Sequence, residues 1–183
     1  MKALRVSIMI MLAVLLSACG GNLMMKADSN PASNTLVFGY IDMDEAPADL
    51  DWFSVRQVLP KTDKPFWSLA VEDGMYYNSF FIDGAYQIDS FGGYSGWRKT
   101  NYTFSFPRQN VDVGRFKISK PGLQYLGSYK FKKIKTGFFD PDKFDVEPLS
   151  SPSERELLER LLKTAESKPW QDRIRKRIQE LSK

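Results

Sequence analysis

Few side chains in this sequence can do chemistry, and their kinds are restricted. The 183-residue chain has one cysteine, Cys19, and no histidine. Ser-His-Asp and Cys-His nucleophilic catalysis are excluded, because no imidazole is present to act as the base. Zinc sites built on Cys and His are excluded on the same ground. Copper and haem sites of the usual kinds lack histidine or a second thiolate to hold them. What survives is carboxylate-only chemistry, Ser-Lys pairing, or calcium or magnesium held by oxygen.

The carboxylates cluster in two places. Asp42, Asp44, Glu45, Asp49 and Asp51 share one short stretch, as a calcium loop would require. The EF-hand pattern fails there: counting from Asp42, Pro47 stands where its glycine should be, and no bidentate glutamate follows Asp51. The run Asp140-Pro141-Asp142-Lys143-Phe144-Asp145 is equally incomplete. Both read as solvated loops, and no metal or cofactor is expected. Ser95, in Phe91-Gly-Gly-Tyr-Ser-Gly-Trp97, is not a nucleophile elbow and has no histidine to activate it. No catalytic residue is assigned, and an enzyme limited to carboxylates is the least favoured class.

Binding surfaces are the better candidates. From Arg115 to Lys135 there are seven basic residues and no acidic one: Arg115, Lys117, Lys120, Lys130, Lys132, Lys133 and Lys135. Such a stretch suits anionic lipid head groups, lipopolysaccharide or peptidoglycan carboxylates. The plainer reading, which we favour, is a solvated strand face. Alternation sends Tyr129 and Phe131 inward and Lys130 and Lys132 to water, where lysines discourage edge pairing. Trp52, Trp67, Trp97, Tyr94 and Tyr102 are amphipathic aromatics of the kind that line sugar sites, although core packing accounts for most of them. Trp97, beside Gly92-Gly93 and Gly96, is the one expected at the surface. The candidates for a ligand or partner surface are Trp97, Tyr94, Lys130 and Lys132, together with Arg173 and Arg177 near the C-terminus, where a partner-binding or membrane-surface helix pair is the sharper alternative to packing.

Cys19 stands in a particular setting. Lys2 and Arg5 precede an apolar run, Val6–Leu16, and the small residues Ser17-Ala18-Cys19-Gly20-Gly21 follow it. That order reads as a secretory signal peptide. Its 11 apolar-run positions fall short of the roughly 20 that cross a bilayer as a helix. Leu16-Ser17-Ala18-Cys19 resembles the bacterial lipobox. The resemblance implies cleavage before Cys19, diacylglycerol on its thiol and a further acyl chain on the new amine. Two chains suffice for stable anchoring. Under the enterobacterial sorting rule, Gly20 implies transport to the outer membrane, on its periplasmic face; aspartate there would imply the inner membrane. The run from Gly20 to Ser33, rich in Gly, Asn, Ser and Pro, reads as a flexible tether spanning roughly 20 Å.

Cleavage would leave 165 residues, one domain's worth of chain. It would also remove Lys2 and Arg5, leaving 24 basic residues against 22 acidic ones and a net charge of +2 rather than +4. So small a charge is no argument for nucleic acid, and no nucleic-acid partner is expected. With its only thiol lipidated, the exported domain would fold without disulfides. The expected divisions are signal peptide 1–18, lipidated tether 19–34, β domain 35–148 and helical segment 149–183.

From Thr35 to Thr136 short apolar and aromatic runs alternate with turn residues, the rhythm of strands. Strands are expected over 35–42, 52–59, 66–71, 75–82, 85–91, 101–106, 115–118 and 123–134. Asp73-Gly74 and Asp83-Gly84 read as tight turns, and Gly92–Gly96 as a loop. The fold class expected is mainly β: an antiparallel seven- to eight-stranded sandwich followed by two short amphipathic helices. Phe80-Phe-Ile-Asp-Gly-Ala-Tyr-Gln-Ile88 resembles a hairpin of carboxypeptidase-regulatory-like, or prealbumin-like, domains, and Gly39-Tyr-Ile-Asp42 is similar to their first strand. Pro121-Gly-Leu-Gln-Tyr-Leu-Gly-Ser-Tyr129 resembles a strand of uncharacterised Gram-negative lipoproteins. The resemblance implies a sandwich and brings no catalytic residue with it.

At the C-terminus, Ser151-Pro152-Ser153-Glu154 matches a capping box with proline in the first helical position. Leu157, Leu158, Leu161, Leu162 and Ala165 then share one helical face. Pro169 restarts the pattern, and Trp170, Ile174, Ile178 and Leu181 recur at helical spacing. Packing on the sandwich is the expected role of both helices. The function expected is a non-enzymatic, membrane-anchored envelope lipoprotein with protein partners. The alternative is a glycan- or lipid-binding module.

Overall fold

The computed structural model describes residues 29–107, 114–137 and 143–183. The expected signal peptide, Cys19, Gly20, most of the tether, and Asp140 and Asp142 lie outside the described residues. The chain is mainly β, with two helices at its C-terminal end. The strands are β1 (Thr35–Asp42), β2 (Trp52–Leu59), β3 (Phe66–Glu72), β4 (Met75–Phe81), β5 (Gly84–Ser95), β6 (Thr100–Ser105), β7 (Arg115–Ile118), β8 (Leu123–Ile134) and β9 (Lys143–Leu149). The helices are α1 (Glu154–Thr164) and α2 (Lys168–Glu180).

The strands form one curled sheet in the order β6-β5-β2-β3-β4-β1-β8-β9, with β7 added to β5. The pairing is mixed. β1 and β8 run parallel, from Leu36 opposite Leu123 to Asp42 opposite Lys130, where antiparallel pairing is predicted throughout. Alternation encodes which face a side chain takes and carries no information about strand direction. Here direction is set by the turn after β7, which leaves β8 rising from the same end as β1.

Three local differences have physical causes. Asp73 and Gly74 both have positive φ, 48° and 75°, and close a two-residue hairpin with Glu72 opposite Met75. Asp83-Gly84 looks alike in sequence, yet neither residue is among those with positive φ. No hairpin forms there: β4 pairs with β3 and β1, while β5 pairs with β2, β6 and β7, so the chain crosses from one half of the sheet to the other. The loop expected at Gly92–Gly96 is strand as far as Ser95. A Cβ at Gly92 would meet the Tyr102 carbonyl, and one at Gly93 the Asp49 carbonyl, so the glycines serve close backbone approach within a strand. Finally, β9 has no counterpart in the sequence reading. It is a seven-residue edge strand containing Pro148, and only Phe144 and Val146 within it face the core.

Curling wraps one face of the sheet around an aromatic core. Phe53 stacks on Tyr76 at 3.7 Å, and Phe81 meets Tyr86 edge-on at 5.0 Å. The ends of the sheet approach each other, bringing Phe104 of β6 to 4.8 Å from Phe131 of β8 and 5.2 Å from Phe144 of β9.

The helices cover the outer face of β1 and β4. Leu157, Leu158, Leu161, Trp170 and Ile174 pack there with Leu36, Phe38, Met75 and Tyr77. β1 is thus buried on both faces, with Val37 and Ile41 turned to the inner core, which accounts for its unbroken apolar run. α1 starts two residues later than the predicted cap. Ser153 is the N-cap, and its capping box closes on Glu156. The Ser-x-x-Glu pattern occurs in both registers. The later one wins because the Pro152 carbonyl is tied to the Ser128 and Tyr125 hydroxyls of β8, and Glu154 instead receives Arg177 of α2 at 2.8 and 3.2 Å. No helix among the described residues is long and apolar enough to cross a membrane.

Candidate functional site

The acidic loop between β1 and β2 is held by its own carboxylates. Asp42 Oδ1 accepts the amide of Asp44 at 2.9 Å, and Asp51 Oδ2 accepts the amide of Tyr94 at 2.6 Å. Glu45 takes the Lys130 ammonium at 3.0 Å and the Lys133 amide at 3.3 Å. The Lys130 hydrogen bond holds the Glu45 carboxyl below its usual range and raises the Lys130 ammonium in turn. Among the described residues no three acidic groups converge as a metal site would require. The loop carboxylates tie the loop to β5 and β8.

The sequence-predicted surface residues fall into three groups. Lys130 and Lys132 project from β8, and each faces a carboxylate; Lys132 reaches Glu147 at 2.6 Å. Arg173 donates to the Pro31 carbonyl and lies over the Trp170 ring at 5.9 Å. Arg177 joins Glu154 and Glu180. These four cations therefore hold the fold's own segments together. Tyr94, near the end of β5, and Trp97, on the turn between β5 and β6, stand apart from them. Trp97 is 79% exposed and Tyr94 48% exposed. The turn under them is braced: Ser95 Oγ accepts the Arg98 amide at 3.4 Å, and Thr100 Oγ1 donates to the Arg98 carbonyl at 2.9 Å.

A second place, absent from the sequence reading, lies where the sheet ends meet. A groove of about 310 Å³ opens along the seam between β6 and the β8–β9 pair. Its floor is Phe104, Phe131 and Phe144, with Tyr102 beside them; Phe131 and Phe144 stack at 5.0 Å. Arg98, Lys133 and Lys143 also line it, with Ala46, Pro47 and Glu45, the last bonded to the Lys133 amide. An apolar slot with cationic edges suits an anionic ligand with an apolar body. The groove depends on β9, and the sequence carries no clear strand signal there.

The groups moved furthest from their ordinary ionisation are core tyrosines. Burial raises the Tyr76 phenol well above its usual value and raises Tyr129 as well. Such shifts come from packing and pair no acid with a base across a cleft. The chain matches no family model, no curated protein and no solved structure.

Proposed function

We propose that this chain is a lipid-anchored, non-enzymatic lipoprotein of the bacterial envelope that docks a protein partner. It is exported by its signal peptide and held through acyl chains on Cys19, on the periplasmic face of the outer membrane. The observation that carries the docking reading is the position of Trp97. It is 79% exposed on a braced turn at the end of β5. β5 starts at the end of the sheet where the chain enters, and its twelve residues carry the turn roughly 35–40 Å away. An exposed tryptophan on a rigid support loses little entropy on docking, and tryptophan is among the residues enriched at interface hot spots. The prealbumin-like resemblance is consistent with a display scaffold.

A photo-crosslinker placed at Trp97 in intact cells tests this. A discrete protein adduct is expected at position 97 and not at an exposed control position such as Glu159 on α1. Equal, diffuse labelling at both positions would refute docking through this turn. The anchor has its own test: Cys19→Ser should abolish fatty-acid labelling and leave uncleaved precursor. The second reading, a module for anionic lipid or glycan, is favoured by the cationic, phenylalanine-floored seam. Ligand binding unaffected by Arg98→Ala with Lys143→Ala, and by Trp97→Ala with Lys130→Ala and Lys132→Ala, would remove it.

A further inference from the structure

The chain enters the described fold at Ser29, and that entry is firmly tied. Ser29 Oγ accepts hydrogen bonds from Trp170 Nε1 at 2.8 Å and Ser79 Oγ at 3.1 Å, and its carbonyl accepts from Trp170 Nε1 at 3.2 Å. Ser29, Ser79 and Trp170 are all buried. Ser79 lies two residues before the end of β4, and a short turn then leads into Thr35, which stands opposite Phe81. The entry point therefore belongs to one end of the sheet.

That same end carries an exposed apolar group. Val58 and Leu59 end β2, Phe66 begins β3, and Ile82 follows β4; they are 42%, 56%, 61% and 48% exposed. Strand pairing sets them at the same end of the sheet. Phe66 is paired with Arg56, Leu59 is paired with Ala85, and the Ile82 carbonyl accepts the Tyr86 hydroxyl at 2.9 Å. Of the eight exposed large apolar residues among those described, four gather here, so the exposure is not scattered. Four lysines stand around them: Lys61 and Lys64 in the β2–β3 turn, Lys117 on β7 and Lys120 after it. All four are exposed, and none has a carboxylate partner among the described residues, unlike Lys130, Lys132 and Arg177. Asp63 and Asp83 are the acidic residues of the two turns, which leaves the end cationic.

We infer that this end of the domain is a bilayer-docking surface, with Val58, Leu59, Phe66 and Ile82 seated among anionic lipid head groups that Lys61, Lys64 and Lys120 engage. The inference rests on the lipid anchor proposed above. Nine residues lie between Cys19 and Ser29, and a chain of that length reaches at most roughly 35 Å even when fully extended. A domain tied at Ser29 thus has this end within reach of the bilayer, and exposed apolar side chains flanked by lysines match the interface between head groups and acyl chains. Docked this way, the Trp97 turn points away from the membrane.

The test uses the full chain reconstituted in vesicles of phosphatidylethanolamine and phosphatidylglycerol. An environment-sensitive maleimide probe is placed singly by Leu59→Cys, Phe66→Cys or Ile82→Cys, and by Gly96→Cys as the control, a position with open space around it. The inference expects blue-shifted emission at 59, 66 and 82 and quenching by nitroxide lipids several-fold stronger there than at 96. It also expects this contrast to shrink when phosphatidylglycerol is left out. The parent chain reports the anchor independently, since an acylated Cys19 takes up no maleimide. A parent that stays unlabelled while all four probes read as water overturns the docking surface and leaves the anchor standing. A parent that labels overturns the anchor. The probes are then read in the Cys19→Ser background, where immersion at 59, 66 and 82 upholds the surface and uniform exposure to water overturns it too.

Discussion

Trp170→Ala should be the most damaging single substitution outside the inner core. The indole is wholly buried in the layer between the helices and β1–β4, and it bonds both the hydroxyl and the carbonyl of Ser29. Truncating a buried tryptophan costs about 3–5 kcal/mol in lost packing and residual cavity. The variant also strips Ser29 of a donor in a dry site, which adds about 1–3 kcal/mol. At about 2–4 °C per kcal/mol for a domain of this size, the packing loss alone lowers the melting temperature by roughly 6–20 °C. Trp170→Phe separates the two effects, because it keeps most of the ring and removes the donor; it should fall between the parent and the alanine variant. Denaturant unfolding followed by far-ultraviolet circular dichroism measures both. A loss below about 1 kcal/mol for Trp170→Ala, the size of an ordinary substitution, would refute the reading. It would mean that the helices and the entry segment do not fold as one unit with the sheet.

Other substitutions test other parts of the fold. The Tyr76 hydroxyl is buried without a hydrogen-bond partner among the described residues. Tyr76→Phe should therefore be neutral or stabilising by about 1 kcal/mol, since it removes an uncompensated desolvation; a clear destabilisation in the same unfolding assay would reveal a partner for that oxygen. Ser153→Ala removes the N-cap of α1 and should cost about 0.5–2 kcal/mol, whereas Ser151→Ala, at the cap position the sequence suggests, should cost less. Burial raises the phenols of Tyr76, Tyr77, Tyr86 and Tyr129 above their ordinary range. A raised folded-state value contributes stability that is complete below the unfolded value and is lost as pH climbs from there through the folded one. Stability should accordingly fall above about pH 10, and unfolding midpoints unchanged between pH 9 and pH 11, about one unit on either side of the ordinary phenol value, would contradict this.

What was legible in the sequence follows from local physics. Alternation and turn residues located eight of the nine strands among the described residues, since each depends on a period of two and on a bounding turn. The leucine face of α1 and the proline that starts α2 were legible because helical spacing is also local. Composition alone removed histidine and thiolate chemistry. Other features required the tertiary structure, because they depend on partners far apart in the chain. Parallel pairing of β1 with β8 is invisible to alternation. β9 shows too little apolar periodicity to be read, so the seam groove beside it was out of reach. Lys130, Lys132 and Arg177 stood in sequence as solvated cations and candidates for a partner surface; folding sets a carboxylate beside each and turns them into internal ties. The apolar group at the entry end was hidden for a related reason. Val58, Leu59, Phe66 and Ile82 each look like ordinary strand residues, and only the closing of β2, β3 and β5 at one end leaves them together in the open. Sequence alone could therefore propose a lipid anchor at Cys19, while only the tertiary structure decides which end of the domain such an anchor would hold, because packing of Trp170 against Ser29 and Ser79 sets the point at which the chain enters the described fold.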